Sequence, residues 1–298
     1  MNNQTTDLTK GKPWKRIVIF SLPLILSFLF QNLYNIADSI IVGNQLGDES
    51  LAAVSSSGSF IFLFTSFFLG LALGCGTLIG KFFGEKDQEN LQKSIHSAVA
   101  IGLISGVLLT LFAEIFSKSL LQLMGTPENV IEESISYFSA YFIGGIGIVM
   151  YAMLNSILQA VGNSRRGLYY LVFASILNII LDLFLVKPLG VFGAGIATLI
   201  SQFISGALCI SFAIKTNSYF QLSKQDLKIN RTIIIRAIKL GVPLSLALCT
   251  FVMIHATSVK YTKWKYFKRY TDPIPIFLPI NLLSMWAPLL SLTLRLFG

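Results

Sequence analysis

The run Tyr169-Tyr-Leu-Val-Phe-Ala-Ser-Ile-Leu-Asn178-Ile-Ile-Leu-Asp182-Leu-Phe-Leu185 decides the fold class. It reaches the ~17–25 predominantly apolar residues that cross a bilayer as a helix, yet it carries an amide and a carboxylate one turn apart. A carboxylate in hydrocarbon costs at least ~2.5 kcal/mol on insertion scales and is kept where it faces an interior cavity and serves a function. The run from Ile17 to Ile41 has the same character, with Asp38 as its acid. Further apolar runs extend over Val54 to Ile79, Ile95 to Phe116, Tyr137 to Leu158 and Gly193 to Ile214, which places six spans before residue 215. Another begins at Gly241, and a last one occupies Ile274 to Phe297.

Composition agrees. The 298 residues are 54% hydrophobic and only 12% charged, with a mean hydropathy of +0.70, which excludes an ordinary soluble domain. The fold expected is all-α and integral to a membrane: one six-helix lobe followed by one or two further apolar segments. The net charge of +9 does not point to nucleic acid, because the basic residues sit in short loops between spans. With the N-terminus inside, the inner side holds Lys10, Lys12, Lys15, Arg16, Lys81, Lys86, Lys93, Arg165, Arg166 and six residues from Lys215 to Lys239, 15 in all, against Lys118 and Lys187 outside. The positive-inside rule therefore predicts a multi-pass plasma-membrane protein with a cytoplasmic N-terminus. The first apolar run is too long for a signal-peptide core and reads as a retained span. Cys75, Cys209 and Cys249 each stand alone in apolar sequence, as small buried hydrophobes do.

Residues 1–214 form the expected six-helix lobe, and residues 215–240, polar and of alternating charge, a cytoplasmic linker. Residues 241–298 begin a second lobe. The phrase Arg16-Ile-Val-Ile-Phe-Ser-Leu-Pro23-Leu recurs in outline as Arg236-Ala-Ile-Lys-Leu-Gly-Val-Pro243-Leu. Its place after six spans suggests a duplicated unit, the internal symmetry that transporters use. Both prolines are expected at helix entrances. The stretch Lys260 to Arg269 puts five basic residues on the outer side, against the charge rule, so the tail from about residue 250–260 is expected to be foreign to what precedes it, as from a truncated or frame-shifted gene. Gly70 with Gly74, Gly76 with Gly80 and Gly102 with Gly106 have the small-xxx-small spacing of close helix contacts.

Within the spans, Gln31, Asn35 and Asp38 fall at i, i+4 and i+7 on one helical face, which is expected to point into the bundle. Asn178 with Asp182 and Asn155 with Gln159 repeat the i, i+4 spacing, and Thr198 adds a hydroxyl. Neither aspartate has a Lys or Arg in its own span to pair with. Such a carboxyl is able to take up and release a proton, and its oxygens are equally able to coordinate a dehydrated cation. Phosphate-loop, His-Glu-x-x-His and Gly-x-Ser-x-Gly signatures are missing, so neither an ATP-driven pump nor an enzyme is expected.

Several phrases carry a family resemblance: Pro23-Leu-Ile-Leu; Leu33-Tyr-Asn-Ile-Ala-Asp38 with Val42-Gly43; Leu46-Gly47 with Leu51-Ala-Ala-Val54; Gly70-Leu-Ala-Leu-Gly74; Phe83-Gly-Glu-Lys-Asp87; Leu158-Gln-Ala160 with Gly162-Asn163; and Gly190-Val-Phe-Gly193-Ala-Gly195-Ile-Ala197-Thr198. Over about residues 13 to 245 the chain resembles the MATE family, the multidrug and toxic compound extrusion antiporters. The resemblance implies twelve spans in two six-helix lobes and export of lipophilic organic cations in exchange for H+ or Na+. It also implies that Asp38, Asn155, Asn178, Asp182 and Thr198 handle the coupling ion, with Gln31 and Asn35 as a supporting polar face and Asp38 and Asp182 as the carboxylates for Na+. No cofactor beyond that ion is expected, the lipid bilayer is the partner, and oligomeric state is left open. The alternatives are a flippase of the same superfamily for lipid-linked sugars, which would be expected to line its cavity with basic residues, and a membrane-embedded enzyme or assembly subunit.

Overall fold

The computed structural model of the protein describes residues 12–123, 126–216 and 230–267. Among them the regular elements are helices: α1 Pro13–Leu46, α2 Asp48–Glu85, α3 Gln88–Leu123, α4 Ile131–Ile143, α5 Gly145–Ala160, α6 Ser164–Leu189, α7 Val191–Thr216 and α8 Arg231–Phe267. Six are long and apolar enough to cross a membrane by themselves, and α4 with α5 make a further span bent by 50°. The fourth span is thus two half-helices where the sequence reads as one run. An apolar run records burial in lipid and carries no mark of direction; the local mark of the bend is the Gly144-Gly145 pair inside it. Residues 217–229 of the linker expected between residues 215 and 240, and the apolar run from Ile274 to Phe297, lie outside the described residues, while residues 231–240 of that linker are already the first turns of α8. The side chains of Lys260 to Arg269 and of His255 also lie outside the described residues.

Two prolines depart from expectation. Pro23 and Pro243 lie inside α1 and α8 and not at their entrances, because each helix begins well before its proline. A proline there removes one i→i−4 hydrogen bond and crowds the preceding turn. Ser27 Oγ donates to the Pro23 carbonyl at 2.8 Å, which occupies one acceptor in that turn.

The connections are short. A single glycine joins α1 to α2 and another joins α6 to α7: Gly47 has φ 93° and Gly190 φ 64°, conformations that cost glycine nothing and other residues more. On the opposite side, Lys86 closes α2 in the left-handed conformation. Asp87 then starts α3 by accepting the Asn90 backbone N–H at 3.1 Å and its side-chain amide at 2.6 Å.

The interior divides into two apolar clusters. One unites Leu71, Ile79, Leu91, Ile95, Met153 and Ile157 of α2, α3 and α5 and reaches Cys209 of α7 and Ile233 of α8. The other gathers Val42, Val54, Leu109, Phe138, Phe142, Val186 and Ala194 at the far end of the bundle. The small residues mark the closest helix approaches. Gly70 faces the backbone of Ser245, Gly74 that of Gly241, Gly76 the hydroxyl of Ser156, Gly80 Ala160, Gly102 Met150 and Met153, and Gly106 Ile146. The α2–α8 seam is polar-bonded as well: Ser245 Oγ donates to the Phe67 carbonyl at 2.6 Å. Large apolar side chains such as Ile115 and Phe184 are 70% and 72% exposed, as expected of a surface solvated by lipid.

Candidate functional site

Along α6 the buried positions are Leu171, Ala174, Ser175, Asn178, Asp182 and Val186, the stripe a 3.6-residue period lays down one face. Ile176, Ile180, Leu183 and Phe184 face outward. Asp182 is fully buried, and neither of its carboxylate oxygens has a hydrogen-bond partner among the described residues. One turn earlier, Asn178 Nδ2 donates to Thr198 Oγ1 of α7 at 3.3 Å, while Asn178 Oδ1 has no partner. Thr198 passes its own proton back to the Ala194 carbonyl at 3.2 Å.

Asp38 approaches from α1. It is buried and accepts the Tyr137 hydroxyl of α4 on Oδ2 at 3.2 Å, leaving Oδ1 unpartnered. The inward line of α1 is Tyr34, Asp38 and Val42, at i, i+4 and i+8. The expected polar face is therefore corrected by one step around the helix: Gln31 and Asn35 are exposed on its edge, and Gln31 meets the site only through the Tyr34 hydroxyl, which Gln202 of α7 also bonds. Helical spacing aligned the three polar residues but could not tell which side of that line turns inward.

Asp38 and Asp182 lie within electrostatic reach of each other, and no Lys or Arg acts on either. Beside them Tyr34, Leu171, Ala174, Ser175, Asn178, Thr198, Ser201 and Gln202 enclose a cavity of about 10 Å³, the lower limit for one water molecule. Gln202 Oε1 is another buried acceptor without a partner. The arrangement is a set of oxygens and two carboxyl groups without a counter-charge, suited to a proton or a small hard cation. Groups of three or more His, Cys, Asp or Glu residues that would hold a transition metal are absent among the described residues.

The remaining sequence-derived candidate is elsewhere. Asn155 is half-buried on α5 with its amide against Gly167. Gly167 precedes Asn178 on α6 by eleven residues, roughly 16 Å along the axis. The tight α5–α6 turn forces this register, which helical spacing within α5 cannot reveal. Tyr34, Tyr137 and Gln202 join the site without having been singled out. Tyr34 sits four residues before Asp38 and Gln202 four after Thr198, a usable signal. Tyr137 reaches Asp38 across 99 positions of sequence and leaves none.

With this geometry, comparison with known proteins is direct. The MatE family model matches residues 23–184. The chain belongs to the MATE family. It is 32% identical over 248 residues to the probable multidrug resistance protein YoeA of Bacillus subtilis (strain 168), covering 80% of this chain and 54% of that protein. It is 27% identical over 203 residues to the FAD transporter of Shewanella oneidensis, covering 66% of this chain and 45% of that one. A solved structure of the outward-facing conformation of a multidrug resistance MATE family transporter of the MOP superfamily superposes with a TM-score of 0.82 at 27% identity, covering 100% of this chain and 68% of that one. This MATE chain spans about half the length of the curated relatives it matches. A second family model, ATP synthase A chain, matches residues 150–298, so the tail expected to be foreign lies within a likeness to another family.

Proposed function

We propose that this MATE chain carries the ion-handling lobe of a multidrug efflux transporter that exports lipophilic organic cations in exchange for H+ or Na+. The observation that carries the reading is Asp182, a buried carboxylate with both oxygens unpartnered, within electrostatic reach of Asp38 and with no Lys or Arg acting on it. A buried charge left uncompensated is expensive, and the expense is relieved whenever a proton or Na+ occupies the pocket. Asp182 and Asp38 supply the carboxyl groups, Asn178 and Thr198 add neutral oxygens from α6 and α7, and Tyr137 holds Asp38. The ion is a substrate of the exchange, and the chain's own residues bind and release it.

The test is made in a chain completed with a second lobe. Asp182→Asn is expected to lose ion-driven dye efflux, and undiminished, still coupled efflux would refute the assignment. The absence of basic side chains from the described pocket favours a cationic substrate over the anionic pyrophosphate of a lipid-linked sugar. Protection against anionic compounds alone would reverse that choice. The charge asymmetry supports a plasma-membrane location with a cytoplasmic N-terminus. Single cysteines at Lys86, Arg165 and Lys228 in a cysteine-free background are then expected to resist an impermeant thiol reagent added to intact cells.

A second reading applies to the C-terminal part alone. The ATP synthase A chain likeness over residues 150–298 favours a composite chain, in which sequence of another family follows the MATE-like lobe. A continuous transcript from codon 184 through codon 298 is expected. Two separate transcripts would assign the two likenesses to different genes.

A further inference from the structure

The bend in the fourth span is held by specific contacts. At the bend the Phe142 carbonyl accepts the backbone N–H of the capping Gly144, and Thr110 Oγ1 of α3 donates to it as well, at 2.8 Å. Three glycines bring the parts together: Gly106 faces the backbone of Ile146, Gly145 faces the Thr110 hydroxyl, and Gly144 faces Leu199 of α7, next to Thr198. The half-helix α4 that leaves this bend is tied at its other end by Ser134. The Ser134 Oγ shares a hydrogen bond of 2.9 Å with Ser56 Oγ of α2, and the Ser134 carbonyl accepts Ser57 Oγ at 3.0 Å. Between these two anchors lies Tyr137, whose hydroxyl meets Asp38. Gly195 of α7 faces the Tyr137 carbonyl and the Tyr141 N–H, so α4 rests on the ion-site helix itself.

The geometry points to Thr110 as a positioning residue for the carboxylate pocket: by tying the Phe142 carbonyl at the bend to α3, it fixes the angle at which α4 delivers Tyr137 to Asp38. Thr110 touches neither carboxylate and acts only through that angle. The inference rests on the reading of the pocket given above and adds the residue that sets its geometry from α3. A hydroxyl suits the role because it brings a donor from another helix to a carbonyl in a membrane interior, where water supplies none, and threonine is small enough to lie against Gly145. An isosteric valine keeps the volume and removes the donor.

The test uses the 298-residue chain in lipid nanodiscs, with its three cysteines replaced and spin labels at Glu133 and Gln159, the two ends of the bent span. Thr110→Val is expected to broaden this distance or lengthen it by about 3 Å, the increase from straightening two half-helices of this length. In the same samples without labels, the infrared carboxylate stretch of Asp38, assigned with Asp38→Asn, is expected to move to the position that Tyr137→Phe gives. Thr110→Ser should restore both readings. If Thr110→Val does not fold, Gly145→Ala, which crowds the Thr110 hydroxyl from the other side, should give the same infrared shift. A wild-type distance and a wild-type Asp38 band in a folded variant overturn the inference. Neither reading depends on ion coupling, so failure of the ion assignment in Asp182→Asn remains distinguishable from failure here.

Discussion

The carboxylate pocket and the α2–α8 seam lie in the same bundle and treat polar atoms in opposite ways. In the seam, glycine lets two backbones touch, and the Ser245 hydroxyl is spent at once on the Phe67 carbonyl. In the pocket, Asp182 keeps two acceptors idle, and Asp38, Asn178 and Gln202 keep one each. A satisfied contact contributes roughly 1 kcal/mol of adhesion, whereas idle buried acceptors weaken the fold. The seam therefore reads as structure, and the pocket as a place that awaits an occupant.

The comparison breaks most readily at Asp182. Asp182→Asn should reduce ion-driven efflux of a two-lobed form more than tenfold, about 1.4 kcal/mol in coupling, while the melting temperature in detergent holds or rises, because a buried acid with no partner on either oxygen has been replaced by a group that never ionises. A lower melting temperature would make Asp182 a structural residue. The reverse pattern belongs to the seam. Gly74→Leu drives a side chain into the backbone at Gly241 and should cost about 1–3 kcal/mol by overpacking, read as a melting shift. An unchanged melt would mean that α8 does not depend on this contact.

A finer cut separates residues that sequence placed together. Asn178→Ala should weaken ion binding about tenfold, near 1.4 kcal/mol, whereas Asn155→Ala, against Gly167 and away from the carboxylates, should leave it nearly unchanged in isothermal titration. Equal losses would return Asn155 to the pocket. The smallest effect is expected outside the membrane, at Asp87. The Asn90 side-chain amide and backbone N–H, helped by the Lys93 charge, hold its carboxyl below the usual carboxylate range. Its contribution is therefore complete above the unfolded value near ~4 and disappears as pH falls through the lower folded value. Asp87→Ala should lower the melting temperature slightly at neutral pH, and the deficit should vanish in acid; a deficit that persists there would mean the cap works without its charge.

Much of this was legible in the sequence because hydrocarbon is an unforgiving solvent. Six spans followed from apolar runs, and Asp38, Asn178, Asp182 and Thr198 stood out because polar groups there must have partners or purposes. The glycine spacings, too, foretold the contacts they make. What stayed hidden depends on direction and register. The rotation of α1 decides between Gln31 and Tyr34, the turn after Ala160 decides where Asn155 lands, and the break at Gly144 brings Tyr137 to Asp38. Each is fixed by tertiary packing between residues far apart in the chain, to which local periodicity is blind.

The one-residue turns have a practical consequence for anyone trying to reach this protein from the side where they lie. On that face α1 and α2 are joined by Gly47 alone and α6 and α7 by Gly190 alone, so the chain between α3 and α4 is the longest peptide on offer there among the described residues. A protease needs several extended residues in its cleft, and an antibody needs an epitope. Both would find their opportunities concentrated at Pro127 to Asn129, which are exposed, whereas Val130 is buried and already caps α4.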